Sequence, residues 1–166
     1  MMRAVRLAFV AAMVLAGTLA APMANAAPEV VRIADAELRS FATAALDTRL
    51  VTMRPRVDSD LQKWTIDRDS ATVGTRVVNN GTRGCMTVPT TTPIVEGTLV
   101  IQVDCVGHTH ELWRFRPDTT TNTVHIVHVR SQLCATIELA SPSLYPRLRL
   151  YTCANTARQQ FVLLTG

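Results

Sequence analysis

Thr109-His110-Glu111-Leu112-Trp113 lies near the middle of this chain, and its last three residues have counterparts on both sides, Gln62-Lys63-Trp64 and Gln159-Gln160-Phe161. The aromatic residues stand 49 and then 48 positions apart, a spacing too regular for chance and too long for a heptad. An apolar stretch precedes each at a matching offset: Arg49-Leu50-Val51-Thr52-Met53, Thr98-Leu99-Val100-Ile101-Gln102 and Pro146-Arg147-Leu148-Arg149-Leu150. One structural unit is written three times. A unit of this size with a few short strands cannot bury its apolar face alone, so the three copies must share one core.

The first segment has a different character. Arg3 and Arg6 precede the apolar run from Leu7 to Ala16, and the small-residue pattern Ala24-Asn25-Ala26 follows, which predicts a secretory signal at 1–26 cleaved after Ala26. The apolar run is too short for a membrane span. Residues 27–166 then form a single domain with repeats at approximately 27–73, 74–121 and 122–166, about 47 residues each. The whole chain of 166 residues has a formal charge of +4, and without Arg3 and Arg6 the remainder carries +2. That charge, with no basic run interleaved with aromatics, excludes a nucleic-acid partner.

Cysteine placement follows the repeat. Cys105 lies eight residues before Trp113 and Cys153 eight before Phe161, while Cys85 and Cys134 lie 20 and 19 residues before those second cysteines. Phe41 and Arg56 stand at the equivalent positions of repeat one, so both cysteines are missing there together. Paired loss is what partners within a repeat would show, and it predicts Cys85–Cys105 and Cys134–Cys153 among the three pairings open to four cysteines. Such a framework suits an exported protein. No C-x-x-C pair suggests zinc.

Val, Thr and Ile dominate the runs 30–33, 75–78, 100–103, 124–129 and 161–164, which read as strands. Turn signals separate them: Asn79-Asn80-Gly81, Pro117-Asp118 and the polar stretch 118–122. Ala34 to Ala45 has helical composition, yet its counterparts in the other repeats look like turn and strand, so it is assigned to a hairpin. Asn80-Gly81-Thr82 matches a glycosylation sequon but reads as a tight turn with a positive φ.

Residues 84–115 place Gly-Cys-Met-Thr-Val, a loop, Val-Ile-Gln-Val-Asp-Cys, a second loop and Glu-Leu-Trp-Arg-Phe in an order that resembles one repeat of the ricin B-chain-like lectins, marked by Gln-x-Trp. Gln132 to Ile137, Leu150 to Cys153 and Gln159-Gln160-Phe161 look like another. The resemblance implies an all-β fold, a β-trefoil: a six-stranded barrel capped by three hairpins with pseudo-threefold symmetry. It also implies that Trp64, Trp113 and Phe161 are scaffold rather than ligands.

In that family each sugar site takes an aspartate two residues after the first cysteine, an aromatic two before the second, and a polar side chain, usually asparagine, just before the Gln of the motif. A carboxylate accepts from two neighbouring hydroxyls, and an aromatic face packs on the apolar face of a pyranose. Here the aspartate position holds Thr43, Thr87 and Thr136. Repeat three keeps Tyr151 for stacking, with Arg158 at the amide position and Arg149 two residues earlier on the strand, so the expected carbohydrate-binding set is Thr136, Arg149, Tyr151, Arg158 and Gln159. Arginine favours carboxylates, which points to an acidic glycan over a neutral one. Repeat two supplies only a weak secondary site, Thr87 and His110, with Val103 in place of the aromatic. Repeat one, with Arg54 and Leu61 at these positions, reads as structural.

His108, His110, His125 and His128 do not form a convincing metal site, because His125 and His128 differ by an odd number and face opposite sides of a strand. No cofactor is expected. No G-x-S-x-G, H-E-x-x-H or phosphate-loop pattern occurs, so the chain is expected not to be an enzyme. Leu99, Ile101 and Val103 share a strand face, outward unless a bulge shifts the register. Two functions remain: a secreted lectin-like module, or a trefoil that has lost sugar binding and docks a protein, as a toxin accessory subunit or a protease inhibitor does.

Overall fold

The computed structural model describes residues 28–66, 73–90, 93–139 and 144–165, and the expected signal segment lies outside them. The described residues fold into twelve strands: β1 (Glu29–Asp35), β2 (Phe41–Ala44), β3 (Val51–Arg54), β4 (Trp64–Ile66), β5 (Val77–Asn79), β6 (Cys85–Thr87), β7 (Ile101–Val103), β8 (Trp113–Asp118), β9 (Thr123–His128), β10 (Cys134–Glu138), β11 (Arg147–Tyr151) and β12 (Phe161–Thr165). The Ala34 to Ala45 stretch is the β1–β2 hairpin, as its counterparts indicated. Among the described residues no helix is long and apolar enough to cross a membrane.

Six strands form the barrel. β1 pairs with β4, β4 with β5, β8 with β9, β9 with β12, and β12 returns to β1 over five residue pairs from Val31↔Thr165 to Asp35↔Phe161. Between β5 and β8 the described residues have one link, the Thr75↔Trp113 bridge, with N–H···O distances of 2.8 and 2.9 Å. Three hairpins, β2–β3, β6–β7 and β10–β11, stand on the barrel. They touch one another in a ring through Thr52↔Arg147, Leu50↔Ile101 and Leu99↔Arg149. Barrel plus three hairpins is the β-trefoil that the resemblance implies.

Periodicity explains the core. Alternate residues of each strand point inward, and Val31, Ile33, Met53, Ile66, Met86, Val100, Ile126, Leu148 and Leu150 are all buried. Trp64, Trp113 and Phe161 open their barrel strands with no exposed surface and sit in one cluster. Each of the three copies thus contributes one large ring to a shared core, which none could enclose alone. The predicted disulfides are both present, Cys85–Cys105 and Cys134–Cys153, each with Cα atoms 5.0 Å apart. In the chain-entropy model each cross-link stabilises by about 3 kcal/mol.

Two local expectations change in detail, and the register of a third stretch is as read from its alternation. Pro117-Asp118 is not a turn but the end of β8, and the hairpin bends at 119–122, with Asn122 left-handed at φ 54°. Proline fits there because, among the described residues, β8 has no strand partner on that side beyond its single bridge. In the Asn79 turn the left-handed residue is Arg83, φ 63°, rather than the sequon residues. Gly81 is required for space instead: a Cβ there would stand 2.8 Å from Leu61 Cδ2 and 3.1 Å from Leu61 N. Strand β7 keeps the unshifted register, with Val100 and Gln102 buried and Leu99, Ile101 and Val103 half-buried on the outer face. Their bridged neighbours Leu50 and Arg149 help to cover them.

Candidate functional site

The site in each repeat depends on a joint where a short 3-10 turn, Asp60–Gln62, Thr109–Glu111 or Ala157–Gln159, enters a barrel strand. Gln62 and Gln159 close it identically. Oε1 accepts from the N–H five residues back (Val57 at 2.9 Å, Ala154 at 2.7 Å), and Nε2 donates to the carbonyl seven residues back (Pro55 at 2.9 Å, Thr152 at 3.0 Å). Nε2 also donates to a threonine hydroxyl, Thr43 at 3.0 Å or Thr136 at 2.8 Å. Those hydroxyls in turn donate to Phe41 O and Cys134 O. The threonines at the aspartate positions are therefore tied into the joint: each hydroxyl has its proton and one lone pair engaged inside the repeat.

Repeat two is wired differently because Glu111 has no N–H to give. Its Oε1 accepts from Val106 N–H at 2.8 Å, the same five-residue reach, and its Oε2 from Gly107 N–H at 3.0 Å. Gly107 stands at φ +82°, where a side chain would be strained, which lets this amide turn toward the carboxylate. Arg76 approaches Oε2 at 3.3 Å and balances a carboxylate that is almost completely buried. Thr87, left without a glutamine, donates to His110 O at 2.8 Å. The two tryptophans lock the joints to the hairpins by donating Nε1–H to Ala42 O (2.9 Å) and Met86 O (2.8 Å). Phe161 cannot do so.

Sequence reading missed a second threefold set, six residues ahead of Phe41, Cys85 and Cys134. Asp35, Asn79 and His128 each end a barrel strand and gather the N–H groups of the next turn. Asp35 accepts from Glu37, Arg39 and Ser40; Asn79 from Gly81 and Thr82; His128 Nδ1 from Ser131 N–H at 3.3 Å. Their own N–H groups all donate to the carbonyl five residues on, at 2.8 to 3.0 Å. A constant offset from the cysteines was the available signal, hidden because three different residue types do one job. His128 must be neutral with its proton on Nε2, aimed at His110 O 3.3 Å away. Burial pushes its pKa down from 6.5 to about 4. His110 is also lowered, first by burial and then by Arg130, whose guanidinium lies 3.2 Å from its Nε2.

On the outer face of repeat three, the β10–β11 pairing sets Thr136 opposite Arg149, Glu138 opposite Arg147 and Cys134 opposite Tyr151. Tyr151 is half-buried, and its hydroxyl donates to Glu138 Oε1 at 2.9 Å. That bond to a carboxylate raises the phenol above its usual pKa, keeping it the neutral donor. Arg149 pairs with Glu138 Oε2 at 2.5 Å and donates to Gly97 O, also at 2.5 Å. Glu138 thus joins the aromatic and the arginine, a carboxylate one same-face step beyond Thr136. The 95–98 loop of repeat two borders this surface, and Glu96 accepts from Thr152 N–H at 2.9 Å; hydrogen bonding from the Thr152 side chain, and then from this N–H, lowers its pKa. Gln159 is buried beneath, with both ends of its amide engaged as described. Arg158, next to it in the 3-10 turn, is exposed. Tyr151, Arg149, Thr136 and Gln159 are connected; Arg158 is placed beside them only through Gln159. Thr87 is buried, and His110 is half-buried against His128, ring centroids 6.5 Å apart.

A family model described as the ricin-type β-trefoil lectin domain matches residues 40–161. No curated protein matches the sequence. Among solved structures the chain is similar to the Macrolepiota procera ricin B-like lectin in complex with lactose, with TM-score 0.69, 12% identity, and 83% of this chain and 96% of that one covered. It is also similar to the Polyporus squamosus lectin bound to the human-type influenza-binding epitope Neu5Aca2-6Galb1-4GlcNAc, with TM-score 0.70, 14% identity and 83% of this chain covered, though it spans only 49% of that one. A third neighbour is the cytolethal distending toxin from Actinobacillus actinomycetemcomitans, with TM-score 0.65, 18% identity, and 82% and 91% covered. At such identities the likeness is one of fold. With a family model matching most of its length, this chain belongs to the ricin-type β-trefoil lectin domain family.

Proposed function

We propose that this protein is an exported, non-enzymatic carbohydrate-binding module whose working site is the outer face of repeat three. The observation that carries the reading is the convergence of Tyr151 and Arg149 on Glu138. A sugar site needs a carboxylate to accept from paired hydroxyls and an aromatic face for the pyranose. Threonine replaced the usual carboxylate, and Glu138 supplies one beside the aromatic. Because Arg149 is already paired with Glu138, the exposed Arg158 is the group left for an acidic substituent such as a sialic or uronic acid carboxylate. Thr136 and Gln159 support this surface from below. Repeat two, with Thr87 donating to a main-chain carbonyl and Val103 at the aromatic position, would contribute at most weak contacts. The disulfides fit the oxidising conditions outside the cytoplasm.

The engagement of Thr43, Thr87 and Thr136 inside the fold favours a second reading, a trefoil that has given up sugars and docks a protein. A glycan array presenting neutral, sialylated and uronic-acid-containing glycans to residues 27–166 separates the two. The lectin reading expects selective signals, stronger for glycans with an acidic group, that disappear in Tyr151→Ala and lose their acidic preference in Arg158→Ala. Absence of any glycan signal from the folded wild type would favour docking.

A further inference from the structure

A cavity of about 580 Å³ lies beside the Thr75↔Trp113 bridge, and both of those residues line it. Its apolar walls include Ile66 of β4, Phe115 of β8, Val124 of β9 and Leu163 of β12. Phe115, Val124 and Leu163 pack against the core yet remain partly exposed, so this apolar surface belongs to the cavity as well as to the core. Among the described residues the charged part of the lining is Arg114 and Arg116. Arg116 is exposed, and among the described residues its guanidinium has no ion pair or hydrogen bond. The volume lies in the range of small-molecule sites, roughly 300–1,000 Å³, which combine apolar walls with a few polar groups.

We propose that this cavity binds a small amphiphilic acid, an apolar chain or ring ended by one anionic group. The apolar body lies between Ile66, Phe115, Val124 and Leu163, and the anionic end meets Arg116 at the mouth. An alcohol of the same body would lose the charge-assisted bond, and a cation would meet the positive charge of Arg116. This site lies on β8, β9, β12 and the end of β4, so it is separate from the β10–β11 face and independent of the sugar reading.

The test is titration of the intact protein with decanoate and with decyltrimethylammonium below their micelle concentrations, by calorimetry and by amide chemical-shift mapping. Saturable one-to-one binding of decanoate is expected, with shifts clustered around Ile66, Phe115, Val124 and Leu163 and the cation at least tenfold weaker. Arg116→Glu should remove that preference, Val124→Trp should abolish binding by filling the cavity, and Tyr151→Ala should bind decanoate like wild type. Leu163→Trp serves the same purpose if Val124→Trp fails to fold. No saturable binding to the wild type, equal affinity for both head groups, or shifts centred elsewhere would overturn the proposal.

Discussion

In repeat three the joint ahead of the last barrel strand is held by a neutral amide, Gln159, and in repeat two by a carboxylate, Glu111. Both accept from the N–H five residues back at 2.7 and 2.8 Å, so the acceptor half of the motif is the part the geometry demands. The donor half is replaceable. Where it is lost, a glycine amide, an arginine and a relocated threonine bond take over, and His110 and His128 crowd into the space around them. Repeat three keeps the amide and with it an outer face on which Tyr151, Glu138 and Arg149 converge. The difference separates what makes the fold from what is free to make a site.

The largest expected effect tests whether both repeats hang on the same core. Trp113→Ala removes a fully buried ring and the bond to Met86 O, and should destabilise by about 3–5 kcal/mol in denaturant unfolding. A loss below about 1 kcal/mol would mean that repeat two is not part of one cooperative core.

The next concerns acid. His128 is held neutral in the folded protein, so the unfolded chain binds the proton more tightly. Stability from this group is complete above pH 6.5, falls as pH drops through the window down to about 4, and is lost below it. A displacement from 6.5 to about 4 corresponds to roughly 3 kcal/mol. His128→Asn borrows the residue that caps the equivalent turn at Asn79 and should flatten this decline when unfolding midpoints at pH 7 and 4.5 are compared. An unchanged acid slope would place the titrating group elsewhere.

A smaller effect sharpens the comparison directly. Gln159→Glu sets a carboxylate against Thr152 O and should cost about 2 kcal/mol. The reverse exchange, Glu111→Gln, keeps the acceptor for Val106 and removes a buried charge, so its change in thermal stability should stay within about 1 kcal/mol. Equal losses would show that the two joints are not interchangeable in the way their geometry indicates.

The parts of the fold that could be read from sequence were those fixed by spacing. Trp64, Trp113 and Phe161 recur with the period of the repeat, and the missing pair at Phe41 and Arg56 identified both disulfides. What stayed hidden were contacts between unlike residues. Asp35, Asn79 and His128 share a role and no chemistry, so no residue pattern announces them. Glu138 lies at an offset the family pattern does not use, and only the β10–β11 register brings it under Tyr151 and Arg149. Strand β8 runs on through Pro117, a residue that by itself signals a turn.

The central claim is that repeat three binds and the other repeats support it. Calorimetric titration of the wild type, Tyr151→Ala and Glu138→Gln with the strongest glycan of the array, alongside their melting temperatures, tests it most directly. Tyr151 is only half-buried, so its truncation should move stability by no more than about 1 kcal/mol. The account predicts glycan binding lost in Tyr151→Ala and weakened at least tenfold in Glu138→Gln, both proteins folded as wild type. Undiminished binding by folded Tyr151→Ala would contradict it.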